Sequence, residues 1–150
     1  MSGDRQGGIT INGDDLTIGQ VIAVSRNYAH VEIDEQGIEK MAKSRQIIED
    51  ILERNQIVYG ITTGFGSLSN VYIPPGDSSQ LQKNLIMSHA AGVGEPLPTE
   101  IVRAMMLLRA NSLAKGYSGV RPEVVQLLVD MLNQKIHPVV PSKGSVGASG

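Results

Sequence analysis

The stretch Thr99-Glu100-Ile101-Val102-Arg103-Ala104-Met105-Met106-Leu107-Leu108-Arg109-Ala110-Asn111-Ser112-Leu113-Ala114-Lys115-Gly116 reads as one uninterrupted helix. Ala, Leu, Met and Arg lose little side-chain freedom in a helix. Thr99 is of a type that caps an N-terminus, and Gly116 is of the type that ends a helix in a left-handed turn. This run sets the expectation of a mainly α fold.

On its C-terminal side, Pro122 occupies a plausible first helical position for a stretch that ends near Asn133. On its N-terminal side a helix is expected from about Ser79 to near Gly92 and Gly94. Another follows Asp34, where Ile38, Met41, Ala42, Ile48, Ile51 and Leu52 recur at helical spacing with Glu, Lys and Arg opposite. Thr17 and Gln20 have the spacing of a capping box, which predicts a first helix from Ile18 to about Ser25. Before it, Ile9-Thr10-Ile11 alternates and is expected as one strand of a short β-hairpin. Two glycine-rich segments without periodicity remain, residues 59–76 and 137–150. Long ordered loops in compact domains are more often functional than idle, so function is expected there. With no internal repeat and no linker, residues 1–150 are expected to form part of a single domain.

Composition narrows the function classes. A chain of 150 residues with 41% hydrophobic and 19% charged content can enclose a core and is expected to be a soluble globular protein. The net charge of −2 and scattered Lys and Arg residues provide no basic field, so nucleic acid is not expected as a partner. The absence of cysteine excludes disulfides and thiolate metal sites. His30, His89 and His137 are too far apart in sequence to form a local ligand pair, so no metal is expected. Met1 to Gln6 lacks the apolar run of a signal peptide and no later stretch reaches the length of a membrane span, which predicts a cytoplasmic protein without a membrane partner. With one Phe and four Tyr, the core falls to aliphatic residues, and Met87, Met105 and Met106 are expected as core filler.

Gly144-Ser145-Val146-Gly147-Ala148-Ser149-Gly150 has the glycine content of a phosphate cradle but not its pattern. A P-loop places Lys and Ser or Thr directly after its last glycine, whereas Lys143 precedes this run. Gly64-Phe65-Gly66 likewise lacks the third glycine of a dinucleotide fingerprint. Ala148-Ser149-Gly150 has another chemistry open to it. A tight turn that presses the Gly150 amide nitrogen against the Ala148 carbonyl carbon makes ring closure nearly intramolecular, and small residues permit that approach. Loss of one water from the ring and of the Ser149 hydroxyl as a second leaves an exocyclic methylene conjugated to an imidazolone, a strong electrophile. Taken alone, the tripeptide reads more readily as a flexible turn, Tyr59 as a half-buried loop tyrosine, and His89 as a helix-face histidine bonded to backbone.

Context adds to this. The segment Ile136-His137-Pro138-Val139-Val140-Pro141-Ser142-Lys143 leading into the tripeptide resembles the cofactor segment of the aromatic amino acid ammonia-lyases and aminomutases. Three more motifs match the family in order and spacing: Tyr59-Gly60-Ile61-Thr62-Thr63-Gly64-Phe65-Gly66, Asn84 through Gly94, and Leu108 through Arg121. The resemblance runs from about Ile9 onward and is closest to the histidine-specific branch. It implies elimination of ammonia from L-histidine to give trans-urocanate, through a 4-methylideneimidazole-5-one (MIO) group formed from Ala148, Ser149 and Gly150. It further implies Tyr59 as the base, His89 and Gly60 as substrate-binding residues, a small amino acid as substrate, and a homotetramer whose active sites combine several subunits.

Tyrosine or phenylalanine ammonia-lyases and 2,3-aminomutases share the cofactor and the base and are the alternative activities; the non-enzyme alternative is an inert helical assembly module. Arg109, Asn111, Lys115 and Arg121 look catalytic by chemistry, but the resemblance makes them scaffold. Thr62 stands where many bacterial histidine-specific members carry Asn. Family members run several hundred residues further, so the resemblance implies an N-terminal part of the lyase domain, with the carboxylate-binding arginine and other site residues elsewhere. By itself such a segment is expected to be inactive.

Overall fold

A computed structural model describes residues 8–64, 71, 73 and 75–144. In chain order its elements are β1 (Ile9–Ile11), α1 (Ile18–Asn27), β2 (Val31–Ile33), α2 (Glu35–Glu53), α3 (Pro75–His89), β3 (Val93–Pro96), α4 (Thr99–Ala114), α5 (Pro122–Asn133) and β4 (Pro141–Lys143). The mainly α expectation holds, and all five expected helices are present. The chain divides into two compact units, one of residues 1–46 and 97–140, the other of residues 47–96 and 141–150.

The first unit is built on α4. Its buried side chains Val102, Met106, Leu107 and Ala110 meet Val24 of α1, Val125, Val129 and Leu132 of α5, and Ile11, Val31 and Met41 in one core. Local signals fix the ends of these helices. Thr17 and Gln20 form the expected reciprocal capping box: the Gln20 amide donates to Thr17 Oγ1 (3.3 Å) and the Thr17 amide to Gln20 Oε1 (2.9 Å). Pro122 opens α5, as expected. The cap of α4 differs: Pro98, not Thr99, is the N-cap, because its extended backbone presents a carbonyl that accepts from Ile101 N (2.9 Å) and Val102 N (3.2 Å).

Gly116 ends α4 with φ +76°, and a Cβ there would lie 2.6 Å from the Lys40 carbonyl carbon. Gly37 of α2 is buried, and a Cβ on it would meet the carbonyl oxygen of Ala114 at 3.6 Å. Gly116 thus lets α2 approach the end of α4 closely, whereas at Gly37 a methyl group would make ordinary van der Waals contact. Of the apolar face expected on α2, Met41 is buried, but Ile38, Ala42 and Leu52 are exposed. The buried residues of the helix, Gly37 and Met41, lie in its first half, and Ile48 and Ile51 are half-buried.

β1 is the expected strand, but its partner β2 runs parallel to it, paired Ile9↔Val31 through Ile11↔Ile33, and is reached through α1 instead of a hairpin turn. Parallel neighbours require such a crossover. The Asn133 side chain acts as a further partner for β2: Oδ1 accepts from Val31 N and Nδ2 donates to Val31 O, both at 2.9 Å. Of the three methionines expected in the core only Met106 is buried; Met105 and Met87 are exposed, because they lie on the outward faces of α4 and α3.

Arg103 has no exposed surface, and its guanidinium lies 4.2 Å from the Tyr28 ring centroid. It donates to the carbonyls of Val24 and Leu132, in the last turns of α1 and α5. Those helix ends carry partial negative charge, which offsets the desolvation of the cation. Burial lowers the Arg103 pKa from its ordinary value and neighbouring Tyr28 opposes that shift. Arginine stays protonated through such shifts.

Candidate active site

The residues with chemical potential among those described lie in the second unit. α2 leaves its last turn through Asn55, whose φ of +50° places it in the left-handed region. Gln56 N donates to Ile51 O and Asn55 N to Leu52 O, both at 3.1 Å, which satisfies carbonyls the helix end exposes. The chain then turns at Val58, whose carbonyl accepts from Ile61 N (3.1 Å) and Thr62 N (3.0 Å). Tyr59 and Gly60 form the tip of this turn.

Two buried threonine hydroxyls hold the turn. Thr62 Oγ1 donates to Gln56 O (2.6 Å) and accepts from Val58 N (2.9 Å). Thr63 Oγ1 accepts from Gly60 N (3.3 Å) and donates to Gly64 O (3.0 Å). On the far side, Ile73 N donates to Thr62 O and Gly64 N to Val71 O, at 3.0 and 3.1 Å. Thr62 and Thr63 are 5% and 3% exposed, whereas Tyr59 is 63% exposed. The backbone below the tyrosine is thus anchored while its side chain stands out, not half-buried as a tyrosine read alone would be. Gly60 has φ +74°, a conformation that favours glycine, and its amide is occupied by Thr63.

His89 ends α3, which begins at Pro75, earlier than expected. Its Nδ1 lies 2.9 Å from both the Leu85 carbonyl oxygen and Ser88 Oγ, and Ser88 Oγ itself donates to Leu85 O at 2.8 Å. A carbonyl oxygen only accepts, so the bond to Leu85 O is made by the tautomer with its proton on Nδ1, in which Nε2 offers a lone pair. The helix-face reading of this histidine is correct as far as its backbone bond goes, and that bond leaves the second ring nitrogen for another partner.

After α3 the chain enters β3, which pairs antiparallel with β4 through Val93↔Lys143 and Pro96↔Pro141. No periodicity in residues 137–150 predicts β4, since three residues with proline carry no alternation. A Cβ on Gly92 would lie 2.9 Å from Pro141 Cγ, and one on Gly94, at φ +89°, 2.8 Å from Ser142 Oγ. Glycine therefore lets the segment that leaves His89 lie directly against the strand leading toward the tripeptide. Ala148, Ser149 and Gly150 themselves lie outside the described residues, as does Phe65 onward in the first motif.

Asn111, expected as scaffold, accepts from Gly13 N at 2.9 Å through Oδ1, and Lys115 pairs with Asp14 at 3.7 Å. Arg121 is the N-cap residue of α5. Among the described residues no group of three or more His, Asp or Glu side chains could hold a metal ion, and no helix is long and apolar enough to cross a membrane. Sequence reasoning missed the two threonine hydroxyls; the only signal for them is a pair of β-branched hydroxyl residues inside a glycine-bounded turn.

Residues 16–150 match the family model described as aromatic amino acid lyase. The chain is 51% identical over 142 residues to the histidine ammonia-lyase of Alkaliphilus metalliredigens, and 52% identical to that of Streptococcus pyogenes. Each alignment covers 95% of this chain, which spans 28% of the length of either relative. Among solved structures, tyrosine aminomutase from Streptomyces globisporus superposes with a TM-score of 0.86 at 38% identity, covering 93% of this chain and 26% of that one. Histidine ammonia-lyase from Trypanosoma cruzi superposes with a TM-score of 0.85 at 39% identity, covering 94% and 27%. With its sequence matched over nearly its whole length and its helices superposing on those enzymes, the chain belongs to the aromatic amino acid lyase family.

Proposed function

We propose that the protein carrying this chain is a carbon–nitrogen lyase that eliminates ammonia from L-histidine to give trans-urocanate, and that residues 1–150 form the N-terminal part of its lyase domain. The observation that carries this reading is the identity of 51–52% to two histidine ammonia-lyases across 95% of the chain.

The reaction removes a weakly acidic β-proton while a poor leaving group departs. Tyr59 is the base in this proposal, presented from an anchored turn with its phenol outward. His89 supplies selectivity: a bare Nε2 accepts a hydrogen bond from the imidazole N–H of a histidine substrate, and a phenylalanine side chain offers no such donor. Gly60 contributes space beside Tyr59, since its amide is already occupied. Ala148, Ser149 and Gly150 fit the MIO precursor in chemistry, with small residues flanking a serine whose hydroxyl can leave as water. Once matured, the group is an electrophile toward the substrate amine and makes it a better leaving group. The protein's association as a homotetramer rests on the family resemblance; it and a cytoplasmic location belong to the same proposal.

A second reading, a tyrosine-specific lyase or an aminomutase, is favoured by the superposition on tyrosine aminomutase. The lone pair on Nε2 would serve a phenol O–H equally well. Product analysis separates the readings: urocanate from histidine supports the first, while coumarate or a β-amino acid from tyrosine, with histidine untouched, overturns it.

A further inference from the structure

We infer that the Thr62 and Thr63 hydroxyls are positioning groups for Tyr59, setting the turn from which it reaches the substrate; this rests on the reading of Tyr59 as the base.

The inference stands on where the turn's backbone hydrogen bonds go. Between the end of α2 and the Gly64–Val71 contact, residues 56–63 lie in neither a helix nor a regular strand, so their peptide groups need other partners. Thr62 Oγ1 supplies two at once, donating to Gln56 O and accepting from Val58 N. These groups precede Tyr59, and the Thr63 bond to Gly60 N follows it, so the hydroxyls grip the backbone on both sides of the tyrosine. Both threonines are buried whereas Tyr59 is exposed, so the bonds that fix this backbone are shielded from water and the residue they carry lies at the surface. Valine puts a methyl group of similar size in place of each hydroxyl. Valine therefore keeps the shape and removes the grip. A base displaced by about 1 Å can lose roughly a hundredfold in rate, so a loosened turn has a measurable cost without any loss of fold.

The test is a double-mutant cycle on histidine turnover in the protein that carries this chain, with the folded fraction of each variant measured by circular dichroism and kcat expressed per folded site. Thr62→Val should lower kcat roughly tenfold to a hundredfold with KM changed less than about threefold, and Thr62→Ser should restore most of kcat. In a Tyr59→Phe background Thr62→Val should cost less than about twofold further, because the residue it positions is already gone. Should Thr62→Val not fold, Thr63→Val carries the same cycle, with a smaller kcat loss that again vanishes in Tyr59→Phe. A kcat unchanged by the valine variant, or a loss that persists in full in the Tyr59→Phe background, overturns the assignment. Failure of the underlying reading shows separately, as a Tyr59→Phe protein that turns over histidine at the parental rate.

Discussion

The guanidinium of Arg103 grips the carbonyl of Val24 with two nitrogens, Nε at 3.3 Å and Nη2 at 2.9 Å, while Nη1 reaches Leu132 O at 3.0 Å. One buried cation thus joins the C-terminal ends of α1 and α5. Replacing it with methionine of similar reach should leave both carbonyls short of a partner and destabilise the protein by about 2–4 kcal/mol. Arg103→Lys keeps the charge but not the planar fork and should recover only part of that loss. Denaturant unfolding of both variants checks the order; a methionine variant as stable as the parent contradicts it.

Asn133 completes the open side of β2 at Val31 with a donor and an acceptor. Asn133→Asp loses the donor and turns a carboxylate oxygen toward the Val31 carbonyl, so it should destabilise by about 2–3 kcal/mol at neutral pH. Asn133→Ala should cost a comparable amount, and Asn133→Gln should not rescue it, because the longer side chain misplaces the amide. Thermal melts of the three variants test this.

Gly116→Ala should be more harmful than its size suggests. The backbone is in the left-handed region, and the new methyl group would meet the Lys40 carbonyl. Together the backbone strain and the overlap predict a loss of about 2–4 kcal/mol, read as a lowered unfolding midpoint. The control is Gly76→Ala, where no atom lies within 4 Å of the new Cβ and little change is expected.

At the candidate site, Tyr59→Phe should leave the fold and the matured tripeptide in place and lose most of the rate, about a hundredfold or more. His89→Leu should weaken the preference for histidine over phenylalanine with a smaller effect on the rate for an apolar substrate. Steady-state kinetics on both amino acids decide the pair.

Much of this fold is legible in the sequence because its helices announce their own ends. Thr17 with Gln20, Pro122 and Gly116 act through the backbone beside them, so their effect survives without knowledge of the tertiary structure. Arg103 does not, because as one charged residue in a helix it looks like any surface arginine. Its burial depends on two other helices ending against it. The parallel pairing of β1 with β2 is hidden for a similar reason, since two strands of three residues carry no record of which partner they meet. At the site, Tyr59, Gly60, His89 and the tripeptide stand out by motif. The role of Thr62 emerges only when its hydroxyl is seen between Gln56 O and Val58 N.

Everything proposed about the chemistry passes through Ala148-Ser149-Gly150, and the mass of the peptide that trypsin releases after Lys143 tests it directly. In the protein that carries this chain, that peptide should be lighter than its sequence requires by two waters, and Ser149→Ala should abolish both the doubly dehydrated form and histidine turnover. A natively folded protein whose peptide keeps its full sequence mass would contradict the proposed electrophile.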